Sequence, residues 1–140
     1  MKKFALLFAV VLSITLLFSA CTPSYNWEDA EKDVECLTEA GFEIFVENTP
    51  EELEEANSLM KIQLQFSQKE FTVEIVNVYG LKKTNDFTCG FEEFASEIQA
   101  QQMYDYYKEI SSLRKVVRLG RIVIHTNSED AIELLGYDFK

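Results

Sequence analysis

The sequence predicts an α+β fold with a single antiparallel sheet of about four strands and helices packed mainly on one face. Segments with helical periodicity follow segments in which apolar and polar residues alternate. The chain has 140 residues, of which 47% are hydrophobic, and this is enough for one core. Only two prolines occur and no internal repeat is found, so we expect one domain.

The predicted order of elements is helix, strand, short helix, two strands, helix, strand, helix. Apolar residues at helical spacing, with acids between them, predict an amphipathic helix over 27–40. Residues 42–47 alternate and predict a strand. Thr49 and Pro50 suit the N-cap and the first turn of a helix, which predicts a short helix over 50–58.

The second half of the predicted fold begins with a hairpin. Residues 61–66 and 71–79 each alternate, and we expect them to pair as antiparallel strands. The remaining predicted elements are a polar loop over 80–90, a long helix over 91–113, a strand over 116–125 bent at Gly120, and a closing helix that starts at Asn127 or Ser128 and runs to about 135. The residues predicted to lie beneath the helices are Ile44, Ile62, Leu64, Val73, Ile75, Ile122 and Ile124.

A second apolar strip is predicted on the opposite face of the sheet. It consists of Phe45, Val76, Val78 and Val123. A sheet with one wet face should be polar there. Either this strip is a protein-binding surface, or a β-bulge between Ile75 and Val76, or partial helix cover, returns the valines to the core.

The N-terminal segment indicates export. Two lysines are followed by seventeen uncharged residues, Phe4 to Ala20, and then by Cys21. The segment Leu17-Phe18-Ser19-Ala20-Cys21 resembles the lipobox of bacterial lipoproteins, and this resemblance implies a lipid on Cys21 and a position on the outer face of the cell membrane. The expected organisation is a signal peptide over 1–20, a lipidated tether over 21–26 and a single α+β domain over 27–140.

Two alternatives for this segment remain open. One is ordinary secretion, although Phe18 is bulky for a signal-peptidase site. The other is an uncleaved anchor, since the apolar stretch has the minimum length for a membrane span. In each case the domain leaves the cytoplasm.

The C-terminal part carries a second resemblance. Residues 120–132 predict a strand that runs into a capped helix, and they follow a tyrosine-rich helical segment. Together with the lipobox, this layout is similar to small uncharacterised lipoproteins of Gram-positive bacteria. The resemblance implies a fold and a location, and it implies no activity.

The charge balance restricts the partners. The chain has 13 basic and 24 acidic residues, and loss of Lys2 and Lys3 with the signal peptide would make the balance more acidic still. Nucleic-acid binding requires clustered cations, so we expect none. An anionic membrane surface would repel such a domain, so the predicted membrane contact is the lipid on Cys21.

Two cysteines remain after the predicted lipidation. Helical geometry places Cys36 away from the apolar stripe of its helix, facing solvent or the loop that holds Cys89. An exported pair of this kind forms a disulfide if its Cα atoms come within about 7 Å. A bridge and two free thiols are both open at this point.

One enzymatic hypothesis uses the same cysteine. Cys89-Gly90-Phe91 is similar to the Cys-Ser-Gly-Phe nucleophile segment of papain-like cell-wall peptidases, and the resemblance implies Cys89 as nucleophile with His125 as its base. The serine of that segment is absent, however, and no third polar partner is evident. A lone histidine at a strand end is usually a surface or capping residue. We therefore expect no catalytic residues.

Other charged groups have simpler interpretations. The acidic runs over 28–35 and 51–55 lack the spacing of a calcium loop and are expected to be solvated helix faces. No metal or cofactor is predicted. The basic residues Arg114, Lys115, Arg118 and Arg121 suit either a helix C-terminus or an anionic partner.

These observations predict a membrane-tethered, non-enzymatic interaction module outside the cytoplasm, with an unknown protein partner. The alternative is an inhibitor or immunity-type lipoprotein whose acidic surface binds a cationic hydrolase or toxin. A papain-like thiol hydrolase is the enzymatic alternative.

Overall fold

A computed structural model describes residues 24–84 and 86–140, and the structural statements that follow concern these residues. The predicted signal peptide and the predicted lipidation site, Cys21, lie outside them. The elements are α1 (Trp27–Glu39), β1 (Glu43–Val46), α2 (Pro50–Phe66), β2 (Ile75–Thr84), β3 (Phe87–Phe94), α3 (Glu97–Ile110), β4 (Lys115–Leu119), β5 (Ile122–Thr126) and α4 (Glu129–Leu135).

The strands form one open antiparallel sheet in the order β1-β2-β3-β5-β4, so the predicted α+β class is confirmed. The described chain has five strands where the sequence predicted about four. The C-terminus covers the outer edge of β4, because the backbones of Val116 and Lys140 exchange hydrogen bonds of 3.1 and 2.9 Å. None of the helices in the described ranges combines the length and the apolar character needed to cross a bilayer.

Helices cover both faces of the sheet, so the expectation of helices mainly on one face is wrong. Buried residues of α1 and α4 join one core, and those of α2 and α3 join a second core on the other side. Strand β5 shows why both faces are covered, since Ile122 and Ile124 point into the first core and Val123 into the second. A sheet that is apolar on both faces must be covered on both.

Helix α2 is longer than predicted. Thr49 caps it by accepting a hydrogen bond from the backbone of Glu52 at 3.3 Å, as the sequence indicated. The helix then continues to Phe66, so the predicted strand over 61–66 and its hairpin with 71–79 are wrong. Met60 and Leu64, four residues apart, are the buried side chains of one helical face.

The alternating apolar residues at the end of α2 predicted a strand with one buried face. The first and the last of these residues are not buried. Ile62 is 49% exposed and Phe66 is 85% exposed. Ile62 was expected beneath the helices, as was Ile44, which is 38% exposed on the edge strand β1.

The end of β2, which runs to Thr84, and strand β3 replace the predicted loop over 80–90, and β3 also replaces the start of the predicted helix over 91–113. Strand β3 pairs with β2 on one side and with β5 on the other. Phe91 and Phe94 are three residues apart, which suits a helix face, but in the strand they enter opposite cores. Helix α3 begins only after Ser96, whose hydroxyl accepts a hydrogen bond from the backbone of Gln99 at 3.2 Å.

The last two strands form a hairpin in place of the single bent strand predicted over 116–125. The turn contains Gly120 with φ of 63°, a left-handed conformation that glycine adopts without strain. Ser128 caps the closing helix α4, one of the two N-caps that the sequence proposed.

The second apolar strip does not form an exposed surface. The register of β2 against β3 shifts between Ile75 and Asn77, which places a β-bulge at Val76. Val78 and Val123 are buried in the core under α2 and α3. Of the four residues of the strip, Phe45 alone is exposed, at 51%, while Val76 is half-buried.

A tyrosine clamp, made of Tyr25, Asp33 and Tyr137, joins the two ends of the described chain. Both phenols donate to the same carboxylate oxygen of Asp33, at 2.6 and 2.7 Å, and their rings pack edge to face. Burial and the neighbouring Asp33 carboxylate raise the pKa of both tyrosines above its ordinary value. The phenols therefore remain donors, and the segment before α1 is fixed to the segment after α4.

Candidate functional site

A cavity of about 750 Å³ lies between α2 and the sheet, and we call it the α2 cavity. Helix α2 lines it with Glu52, Glu55, Ala56, Leu59, Met60 and Gln63. Strands β1 and β2 add further apolar residues, including Phe45, Val46 and Val78. The rest of the lining comes from β3, β5, the C-terminal end of α3 and the segment between α3 and β4. Much of the wall is therefore apolar, while the polar groups come mainly from the second half of the chain.

Four polar residues in the lining form a connected cluster: Glu92, Tyr107, Arg114 and His125. They come from β3, α3, the segment before β4, and β5. The antiparallel register makes Gly90 the neighbour of His125, and Glu92 lies two residues further along the same face of β3. Helix α3 places Tyr107 over this face, and the centroid of its ring lies 4.7 Å from the centroid of the His125 ring.

Hydrogen bonds fix the orientation of each member of the cluster. Nη1 of Arg114 lies 2.7 Å from Nδ1 of His125. Since a guanidinium only donates, Nδ1 accepts and the imidazole proton is assigned to Nε2. Tyr107 donates to Oε2 of Glu92 at 2.7 Å. Burial raises the pKa of Tyr107 well above its ordinary value, and the Glu92 carboxylate adds to this effect, so the phenol stays protonated.

The imidazole of His125 lies directly against the backbone of β3. A Cβ atom on Gly90 would stand 2.4 Å from Cε1 and 2.5 Å from Nε2 of the ring, far inside contact distance. Glycine is therefore needed at this position to seat the ring. Within the described ranges Nε2 is buried without a hydrogen-bond partner, and the nearest oxygen of Glu92 is 3.6 Å away.

The cation of the cluster has neutral partners. Apart from His125, the guanidinium of Arg114 reaches Thr88, with Nη2 at 3.5 Å from the hydroxyl. Among the residues that the structure describes, no carboxylate oxygen lies within 4.0 Å of it. The cavity thus contains a guanidinium that pairs with none of the described carboxylates, in a chain whose acids outnumber its bases.

The predicted basic cluster is dispersed. Arg118 donates to the carbonyl of Gly120 at 2.8 Å, and Arg121 pairs with the buried carboxylate of Glu93. Lys115 is exposed at the start of β4. Of these four basic residues, only Arg114 lines the α2 cavity. It is therefore the one that remains a candidate binding residue.

Of the two alternatives left open for Cys36 and Cys89, the structure has the two free thiols and not the disulfide. Cys36 is exposed on α1, whereas Cys89 lies in the middle of β3 rather than in a loop. Its side chain belongs to the core under α1 and α4, while His125 packs against Tyr107 on the other face. Burial raises the pKa of the Cys89 thiol to about 12. The two residues do not form a nucleophile and base pair.

His125 was expected to be a surface or capping residue, and instead only 12% of its side chain is exposed. Sequence reasoning also missed Glu92 and Tyr107, which it placed along a helix that begins later than predicted. The one local signal was Gly90, because a glycine inside a strand often marks the close approach of another group.

Comparison of the chain with protein families, with curated proteins and with solved structures gave no match. Within the described ranges, no group of three or more histidine, cysteine or acidic side chains is arranged to hold a metal ion.

Proposed function

We propose that the protein is a lipid-anchored, extracytoplasmic binding module that holds a small ligand in the α2 cavity without transforming it. The observation that carries this proposal is the cavity itself. Its volume of about 750 Å³ falls in the range of small-molecule sites, and a largely apolar wall with a few convergent polar groups is typical of such sites.

The contacts of the polar cluster support binding over nucleophilic catalysis. A general base needs a free nitrogen or oxygen within reach of the nucleophile. Here Nδ1 of His125 accepts from Arg114 and the ring proton is assigned to Nε2, so the imidazole has no free acceptor nitrogen. Among the described residues, no serine, threonine or cysteine side chain forms a hydrogen bond with His125. The inhibitor-type alternative rests on acidic composition alone, and the cavity adds nothing to it.

Filling the cavity should prevent binding. We expect a neutral apolar dye, N-phenyl-1-naphthylamine, to bind the wild-type protein saturably, and Ala56→Trp to weaken this binding at least about tenfold, because Ala56 lines the cavity. Fluorescence titration measures the effect. The matched control is Glu133→Trp, on α4 across the sheet, which should bind the dye as the wild type does. Equal binding by the two tryptophan variants, or no saturable binding by the wild type, would contradict the proposal.

The anchor has a separate test. We expect Cys21→Ala to abolish fatty-acid labelling in a bacterial host and to release the protein from the membrane fraction, because the thiol of Cys21 is the proposed attachment atom. Cys36→Ala serves as the matched control, since it removes the exposed thiol of α1 and should leave labelling intact. Labelling that persists in Cys21→Ala would rule out this anchor.

A further inference from the structure

We propose, on the basis of the cavity-binding function above, that the ligand is an amphipathic monocarboxylate whose carboxylate binds the guanidinium of Arg114. The chemistry is that of a single carboxylate on an apolar body, as in a medium-chain fatty acid or in the C-terminus of a short apolar peptide. Neither the anchor nor the volume of the cavity specifies this chemistry. It follows from the partners of Arg114 and from the charges around it.

Arg114 is held in place but is not neutralised. Nη1 donates to Nδ1 of His125 at 2.7 Å, and Nη2 lies 3.5 Å from the hydroxyl of Thr88. This leaves the edge formed by Nε and Nη2, which has the geometry to donate two parallel hydrogen bonds to one carboxylate. The guanidinium is only half-buried, and within the described ranges no carboxylate oxygen lies within 4.0 Å of it, so its charge is available to a ligand. A ligand carboxylate supplies the counter-ion.

His125 is a positioning residue in this arrangement. Its Nδ1 atom fixes one nitrogen of the guanidinium, and Gly90 and Tyr107 fix the imidazole from two sides. The guanidinium edge is thereby oriented before a ligand arrives, which lowers the entropic cost of binding.

The rest of the lining limits the ligand to one negative charge. Glu52, Glu55 and Glu92 all line the cavity. The C-terminal end of α3 also lies there, through Ile110 and Ser111, and the helix dipole makes that end partly negative. One guanidinium offsets one carboxylate, whereas a second anionic group would meet like charges. Dicarboxylates and phosphate esters are therefore disfavoured.

The apolar part of the lining defines the body of the ligand. It is formed by Phe45, Val46, Ala56, Leu59, Met60 and Val78, from β1, α2 and β2. An alkyl chain or a pair of aliphatic side chains that covers these residues loses contact with water, and this burial stabilises the complex in proportion to the apolar area removed.

Displacement of the neutral dye tests the proposal. The probes are decanoate with its neutral counterpart decanol, and trileucine with its C-terminal amide. We expect at least one acid to bind about tenfold or more tightly than its neutral counterpart, and the pair that shows the preference identifies the source of the carboxylate. Decanedioate, with a second charge, should bind at least about tenfold more weakly than decanoate if the fatty-acid pair shows the preference.

Arg114→Gln should abolish this preference, so that each acid binds no more tightly to the variant than its own neutral counterpart does. Arg118→Gln, outside the cavity, is the matched control and should keep the preference. If thermal melting shows that Arg114→Gln is not folded, Arg114→Lys takes its place, since it keeps the charge, loses the bidentate edge and should retain only part of the preference.

The outcomes separate this inference from the proposed function. Dye binding without any preference for the acids, or a preference that survives in folded Arg114→Gln, would overturn the carboxylate site and leave the cavity-binding function standing. No binding of the dye or of any probe would overturn both.

Discussion

Phe91→Ala is expected to lower the free energy of unfolding by about 3–5 kcal/mol, because it removes a large side chain and leaves a cavity that the sheet cannot close. Phe91 is fully buried in β3, a strand with neighbours on both sides, and belongs to the core under α1 and α4. A domain of this size is stable by about 5–15 kcal/mol, so a large share of that stability depends on one ring. Urea denaturation followed by circular dichroism measures the change.

Phe87→Ala provides the control on the same strand. Phe87 is 47% exposed, so its removal should cost less than about 1 kcal/mol. The two substitutions are chemically identical and differ in burial. A similar loss from both would show that β3 does not lie in the sheet as described.

Gly90→Ala should destabilise the protein by about 1–3 kcal/mol, because the new methyl group and the imidazole of His125 would occupy the same space. The Cβ position lies 2.4 Å from Cε1 of the ring, so the ring must leave its contact with Arg114. We expect the carboxylate preference of the α2 cavity to weaken with it. Thermal melting and the dye displacement assay measure the two effects on the same sample.

Combining Gly90→Ala with His125→Ala identifies the cause of the destabilisation. In a His125→Ala background the obstructing ring is absent, so Gly90→Ala should cost less than about 0.5 kcal/mol. If Gly90→Ala lowered the free energy of unfolding equally in both backgrounds, the effect would come from the backbone of β3 and not from the contact with His125.

The starts of α2 and α4 were predictable from the sequence because they depend on local chemistry, whereas the start of α3 at Glu97 was not. Thr49 with Pro50, and Ser128, carry their capping function within a few residues, and both helices begin there. The end of α2 was not predictable in the same way. No glycine or proline follows Ala56 until the chain has passed Phe66, and the alternation of Ile62 with Leu64 imitates a strand.

The cover on both faces of the sheet was implied by residues that the sequence already showed. Val78 and Val123 are too apolar for a sheet face exposed to water. In the structure a second helical layer buries them, and a bulge lies at Val76. The sequence did not show which helices form that layer, because the spacing of Phe91 and Phe94 fits a helix as well as a strand that faces two cores.

The candidate site could not be predicted, because long-range register creates it. Gly90 meets His125 only through the pairing of β3 with β5, and Tyr107 meets Glu92 only because α3 starts at Glu97. Neither contact leaves a periodic pattern in the sequence. The volume around Arg114 depends on how α2 packs over the sheet, which no single segment encodes.

The tyrosine clamp determines which way the domain faces if Cys21 carries the proposed lipid. Tyr25 follows Cys21 by four residues, a span of about 14 Å at full extension. Its bond to Asp33 of α1 holds the end of the tether on the side of the sheet that α1 and α4 cover. With the proposed lipid on Cys21, that side would lie towards the bilayer, and α2 with its cavity would be turned outward. Ligands would enter from the surrounding water rather than by lateral diffusion out of the lipid, and the sheet would stand between the bound molecule and the membrane.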